Sequence, residues 1–244
     1  MEVAEYKNIY DNENTHFFYV STHYLIISII KQFYKNKKIK ILDAGCGTGL
    51  LAKKMQLFGE VIGVDLNPEA LYFAKKRGIK VVKSSIEKLP FKDAAFDIVV
   101  SIDVLTHKLI ADDLIPLREF HRVLKPGGIL ILRVSANRWL KLNHDKHVLV
   151  THRYEETELE NKLSKAGFKT EKISFVDFSL FIPIVIKHLW EKILKPKETR
   201  SAIGKINPII NTLMTKILLF EANLFNKIHF PFGIGLIAIS KKSI

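Results

Sequence analysis

The hydrophobic and polar positions of this chain follow two alternating rhythms. Short, nearly unbroken apolar runs appear as "KIKILDA", "EVIGVDL", "IKVVKSS", "FDIVVSI" and "ILILRVS". Between them, apolar residues return at three- and four-residue intervals. The first rhythm predicts strands buried on both faces, the second helices with one core-facing stripe. Helices are expected over "TGLLAKKMQLF", over "PEALYFAKKRG" with its leading Pro and trailing Gly, and over "DDLIPLREFHRVLKPGG", which stops at Pro126-Gly127-Gly128. "RYEETELENKLSKAGF" adds a helix, and "KTEKISFVDF" and "FGIGLIAISKK" add two strands. Strands alternating with helices predict an α/β chain with a parallel sheet and right-handed crossovers.

One stretch breaks the rhythm. From Leu180 to His229 the chain is rich in Ile, Leu and Phe and reads as two helices around a basic turn, "KPKETR". Its longest apolar run, "LFIPIVI", is far short of the ~20 residues that cross a bilayer. A helical cap or interfacial element is expected there. In "LFIPIVIKHLWEKILKPK" an apolar face is coupled to a tryptophan and lysines. Packing on the core is its first reading and lying on a membrane surface its second. The helix from Ile206 gathers Ile210, Leu213, Ile217, Phe220, Leu224 and Ile228 on one stripe, with Glu221 beside it.

Composition adds limits. With 244 residues and 48% hydrophobic content, a packed globule is expected. The single cysteine, Cys46, forms no internal disulfide and favours a reducing compartment. "MEVAEYKNIY" lacks the basic start and apolar centre of a signal peptide, so a cytoplasmic location is expected, with peripheral membrane contact as a second reading. The net charge of +13 is evenly spread, with +7 in residues 1–150 (23 basic, 16 acidic) and +6 in 151–244 (15 basic, 9 acidic). Apart from "KNKKIK" there is no basic block, so a nucleic-acid partner is disfavoured, while attraction to an anionic membrane remains open. The nine histidines show no metal-binding spacing; "HDKH" at His144–His147 is read as a loop, and no metal is expected.

The chemistry concentrates in "ILDAGCGTGL", Ile41 to Leu50. A strand ends in Asp43 and turns through Gly45, Gly47 and Gly49 into a helix. Glycine lets backbone approach a ligand closely and take up positive φ. The dinucleotide fingerprint wants glycine three residues after its second glycine, but position 50 is Leu. An acid before the loop repels pyrophosphate and suits a ligand bearing positive charge.

These residues resemble motif I of the class I S-adenosylmethionine-dependent methyltransferases. "GVDLNPEAL", "EKLPFKDAAFDIVVS" and "HRVLKPGG" resemble the family's next motifs in the family's order, covering roughly Ile39 to Ser135. The nearest subgroup is the methyltransferase type 11 set. "ENTHFFYV", "HDKHVLVTHRY" and "FPFGIGLIAISKK" resemble a bacterial and archaeal branch of it. The resemblance implies a Rossmann-like, seven-stranded, mostly parallel sheet with a reversed last strand. It implies one methyltransferase domain over 1–244: a helical cover (1–38), a cofactor-binding core (39–179), a helical cap insertion (180–229) and a final strand (230–244).

It also implies roles. Asp43 would contact the methionine amino group of S-adenosyl-L-methionine. Gly45, Cys46, Gly47 and Gly49 would let the backbone pass beneath the cofactor. Asp65 would hold the ribose hydroxyls, with Leu66 on the adenine. Ile86 would offer its N–H to the ring, and Ser101 to Asp103 would line the methionine end. Ser85 stands where the family usually has Asp.

Methyl transfer from a sulfonium needs alignment and water exclusion, and needs a base only if the acceptor must lose a proton. His107, after the fourth strand, is the first candidate, because imidazole titrates near neutrality. His144, Asp145 and Tyr154 are expected near the acceptor. Arg153 is expected either to bind an acidic acceptor or to pair structurally. Glu221 is read either as a buried structural partner or as a group pointing into the acceptor pocket. The expected acceptor is a small molecule or is lipid-linked. An RNA methyltransferase and a non-catalytic binding subunit are the alternatives, and the oligomeric state is left open.

Overall fold

The computed structural model describes residues 3–34, 38–141, 145, 149–194 and 206–243. The expected strands all form. They are β1 (Ile39–Ala44), β2 (Gly59–Asp65), β3 (Lys80–Lys83), β4 (Phe96–Ile102), β5 (Leu124–Ser135), β6 (Phe168–Val176) and β7 (Gly235–Lys242). They make one seven-stranded sheet in the order β3-β2-β1-β4-β5-β7-β6. β1 to β5 pair in parallel, and β7 runs antiparallel between β5 and β6. The strand order reverses between β1 and β4, which is where an open α/β sheet leaves a crevice at its carboxyl ends.

The helices are α1 (Val3–Asn12), α2 (Phe17–Phe33), α3 (Leu50–Met55), α4 (Pro68–Lys76), α5 (Leu114–Val123), α6 (Glu156–Lys165), α7 (Phe178–Leu194) and α8 (Pro208–Leu224). Local chemistry sets several ends. Asn67 Oδ1 accepts from the Glu69 N–H ahead of Pro68, which caps α4. Glu155 and Glu158 make a reciprocal capping box on α6. The helix before β5 ends at Val123, three residues earlier than its Pro-Gly-Gly suggests. Leu124 already pairs with Phe96, and the register shifts before Ile98 meets Ile129.

Two apolar layers sandwich the sheet. Leu25, Ile26, Ile29 and Ile30 of α2 pack on one face with α3, α4 and Ala222 and Phe225 from the α8 end. Leu117, Phe120, Leu159 and Leu163 of α5 and α6 cover the other. The N-terminal cover and the cap helix are latched together. The Phe17 N–H donates to Asn211 Oδ1 at 2.9 Å, and the Tyr24 hydroxyl donates to Asn223 Oδ1 at 2.7 Å.

The stripe read on α8 forms, but it does not face the interior. Ile210, Leu213 and Phe220 are more than half exposed, and the buried residues are Leu218, Glu221 and Ala222. Periodicity identified a face and not what lies against it. No helix among the described residues is long and apolar enough to cross a membrane.

Candidate active site

The switch point holds a cavity of about 780 Å³. That is at the large end of the ~300–1,000 Å³ usual for small-molecule sites. Its floor is the loop between β1 and α3. Gly45 has φ +88°, and a Cβ there would meet Val104 Cγ2 at 2.1 Å, so only glycine fits beside the segment that follows β4. Gly47 has φ +52°, and a Cβ would meet nothing within 4 Å, which leaves its backbone open toward the cavity. The loop is pinned by Asp65, whose Oδ2 accepts from the Gly47 N–H at 3.0 Å and whose Oδ1 accepts from the Asn67 N–H at 2.9 Å.

The floor is acidic. Asp43, Asp65 and Asp103 all line the cavity. Burial, reinforced by the Asp65 charge, pushes the Asp43 carboxyl up to about 7. Burial also raises Asp65, against the hydrogen bonds from Asn67 and Gly47 that favour its charge. Among the described residues, Asp43 Oδ2 and Asp103 Oδ1 are buried acceptors with no hydrogen-bond partner. Such atoms are costly until a donor arrives, so they mark where a ligand's N–H groups belong.

The roof comes from the N-terminal cover. His16, Phe18, Tyr19, Thr22 and His23 line the cavity from the start of α2. His16 Nδ1 caps α2 by accepting from the Phe18 N–H at 3.2 Å. Burial lowers the His23 imidazole to about 3, with Lys54 and Arg77 adding to the shift, so it stays neutral. Glu13, just before α2, accepts from both the Thr48 hydroxyl and Arg77, and Arg77 also donates to the Thr48 carbonyl at 2.7 Å. The cover is thereby tied to the glycine loop. "ENTHFFYV" carried that signal, since it opens on Glu13, but its spacing could not name Arg77 as the partner.

A second buried ion chain escaped the sequence reading. Arg133 of β5 donates to Asp103 after β4 and to Asp177 after β6, the latter at 2.6 Å. Its guanidinium also lies 4.8 Å from the Phe18 ring centroid. Three strand ends and the roof are thus joined at the methionine end of the expected site.

The residues singled out in the sequence separate into groups. Asp43, Gly45, Cys46, Gly47, Asp65, Leu66, Ile86, Asp103 and His107 line the cavity. Gly49 does not: a Cβ there would meet Ala74 Cβ at 2.8 Å, so it serves α3–α4 packing. Ser101 does not either, because its buried hydroxyl donates to the Ala44 carbonyl and ties β4 to β1. Ser85 turns to Glu87, whose N–H it accepts at 3.1 Å. Burial and the nearby carboxylates raise the Cys46 thiol and keep it protonated.

Two catalytic candidates, Tyr154 and His107, have surroundings other than those expected. Tyr154 is 1% exposed in the core, and its hydroxyl donates to Asp113 Oδ2 at 2.6 Å, away from the cavity. His144 lies outside the described residues. Its neighbour Asp145 is bound in a bidentate pair with Arg153, at 2.7 and 3.0 Å, which assigns Arg153 a structural partner at the cavity wall. His107 lines the cavity, but burial and nearby positive charge pull it to about 4. It is neutral at physiological pH, which makes it a weak base and a hydrogen-bonding group. Among the described residues no cluster could hold a metal ion.

Glu221 lies away from the large cavity, 8% exposed. Its oxygens accept the Phe178 N–H at 3.0 Å and the Ser179 N–H at 2.6 Å. These are unsatisfied donors of the first turn of α7, and a carboxylate there also meets the positive helix end. Glu221→Gln keeps one acceptor and turns a donor toward the other N–H. We expect it to cost ~1–2 kcal/mol, roughly 2–8 °C in melting temperature for a chain of this size. Cofactor affinity and activity per folded molecule should be unchanged; thermal unfolding with parallel calorimetry measures both.

Sheet order, reversed last strand and glycine loop together define a Rossmann-like fold, the one seen in solved S-adenosylmethionine-dependent methyltransferases. Residues 42–132 match the family model described as a methyltransferase domain. It is 37% identical over 130 residues to a demethylmenaquinone methyltransferase of Chlorobaculum tepidum, covering 49% of this chain and 52% of that one. It is 35% identical over 149 residues to the methyltransferase YodH of Bacillus subtilis, covering 56% and 63%. The chain spans about half the length of the curated relatives it matches. A SAM-dependent methyltransferase from Thermotoga maritima superposes with a TM-score of 0.63 at 20% identity, over 99% of this chain and 96% of that one.

The residues present fit S-adenosylmethionine. Two carboxylate oxygens, Asp43 Oδ2 and Asp103 Oδ1, have no donor among the described residues, and the bare backbone of Gly47, held by Asp65, lines the same cavity.

Proposed function

We propose that the chain transfers a methyl group from S-adenosylmethionine to a small apolar or lipid-linked acceptor. The observation that carries this reading is the lining of the cavity, which combines the carboxylates of Asp43, Asp65 and Asp103 with the apolar side chains of Leu109, Ile110, Leu149 and Val150 and of Leu180 and Ile184 of α7. A cationic cofactor suits the carboxylates and an apolar molecule the aliphatic side chains. The relatives named demethylmenaquinone methyltransferases support an acceptor of that general kind.

When bound, S-adenosylmethionine supplies an electrophilic methyl group on sulfur. Asp43 would receive its ammonium group and Asp65 its ribose hydroxyls, while Leu66 and Ile86 would flank the adenine. The cover formed by Phe18, Tyr19 and His23 would exclude water, which strengthens electrostatic contacts inside the site. His107, held neutral by burial, would orient a polar group of the acceptor and not carry charge itself. The chain would thus contribute mainly alignment and desolvation.

Two measurements test the reading. Calorimetry should show binding of S-adenosylhomocysteine and no measurable binding of NAD. Methyl-labelled cofactor should then pass its label to a hydroxylated ring bearing an isoprenoid chain, and far less to RNA. Tight cofactor binding with no transfer to any acceptor would mark a binding subunit instead, and label in RNA would overturn the acceptor class.

A further inference from the structure

The cap exposes far more apolar surface than a water-facing helix pair needs. On α7, Ile182, Ile186, Leu189 and Ile193 recur on one stripe and are each at least half exposed, with Trp190 beside them. Leu180 is the helix's sole buried residue. On α8, Ile209, Leu213 and Phe220 share a face and are 78%, 56% and 65% exposed. Isolated exposed apolar residues are ordinary, but runs of them on adjoining helices mark an interaction surface.

The charges say what kind of surface. At about 100° per residue, exposed Lys192 falls on one flank of the α7 stripe. Exposed Lys216 sits on the α8 face between Leu213 and Phe220. Among the described residues of 178–229 stand four Lys, Lys187, Lys192, Lys216 and Lys227, against two acids, and one of those acids, Glu221, is buried and committed to the α7 N-terminus. Both tryptophans of the chain belong here. Trp139 lies edge-on to Phe181 and His188 of α7, and Trp139 and Trp190 are each 50% exposed. Apolar stripes flanked by lysine, with half-exposed indoles, match the boundary between headgroups and acyl chains. A second copy of this chain is a poor occupant, because each copy carries +13 and would bring the same lysines face to face.

We propose that the outward face of α7 and α8 docks on an anionic lipid bilayer, with the apolar stripes inserted at headgroup depth. The docking surface follows from exposure and charge and does not depend on methyl transfer. It does, however, give the proposed lipid-linked acceptor a short route. Leu180, Ile184 and Lys187 on the inner side of the same helix line the cavity.

The test is sedimentation of the full chain with vesicles of phosphatidylcholine alone and of phosphatidylcholine mixed with phosphatidylglycerol. Binding to the mixed vesicles is expected, at least ~10-fold stronger than to the neutral ones and weakened by salt. The tryptophan emission of the native chain should shift to shorter wavelength and be quenched by brominated lipid. The combined variant Ile186→Gln, Ile193→Gln, Leu213→Gln and Phe220→Gln keeps every charge and alters only exposed side chains. It should keep its melting temperature and lose vesicle binding ~10-fold or more. No binding at low salt, binding unchanged by the variant, or unquenched tryptophans would each overturn the proposal. So would a concentration-dependent dimer abolished by the same variant without any vesicle binding. S-adenosylhomocysteine binding, measured in parallel, separates failure of this proposal from failure of the methyltransferase reading.

Discussion

Asp65→Ala is expected to weaken S-adenosylhomocysteine binding by ~2–3 kcal/mol, the worth of a lost charged hydrogen-bonding pair. The carboxylate stands at the end of β2 on the cavity floor, where the ribose hydroxyls would sit. It also holds the Gly47 and Asn67 N–H groups, so the substitution loosens the glycine loop as well as removing an acceptor. Titration calorimetry at fixed salt reads the change. Unchanged affinity would remove Asp65 from the site.

Cofactor affinity should also depend on pH, through Asp43. Burial and the Asp65 charge lift its carboxyl to about 7 in the ligand-free chain. A cationic ammonium group needs the ionised form. From pH 6 to pH 8 the ionised fraction rises from about a tenth to about nine tenths, so affinity should rise roughly tenfold and then level. The sign for stability is opposite. The folded value lies above the unfolded one, so the folded chain keeps a proton that the unfolded chain has released. This group's contribution is therefore greatest in acid and is lost as pH climbs from about 4 toward about 7. Asp43→Asn should flatten the affinity profile, weaken binding and raise the melting temperature of the ligand-free chain. A binding profile that stays steep in that variant would assign the titration to another group.

The parts of the site that were legible in the sequence were the local ones. A strand-end acid, a glycine turn and a second acid closing the next strand lie within a few residues of the turns they shape, so Asp43, Gly45, Gly47 and Asp65 could be placed directly. Side chains whose direction depends on a distant partner could not. Tyr154 follows an irregular segment, and its hydroxyl is drawn to Asp113, forty-one positions away. Glu221 finds two backbone N–H groups at the start of a helix forty-three and forty-two positions earlier. Arg77 and Arg133 gave no sign of their roles, because a lone arginine acquires a partner only when the sheet closes. The fold was legible for a related reason. Nearly unbroken apolar strands can be satisfied only by burial on both faces.

The position of β7 sets an order of events during synthesis. β6 pairs with β7 alone, and β7 is the strand that joins β6 to β5. As the chain leaves the ribosome, β1 to β5 can assemble and hold the glycine loop in place. β6 must wait unpaired, with the sticky faces of α7 and α8 emerging behind it, until Gly235–Lys242 arrives. For that interval the nascent chain presents an open sheet edge together with its exposed apolar helices, the combination most prone to wrong pairing.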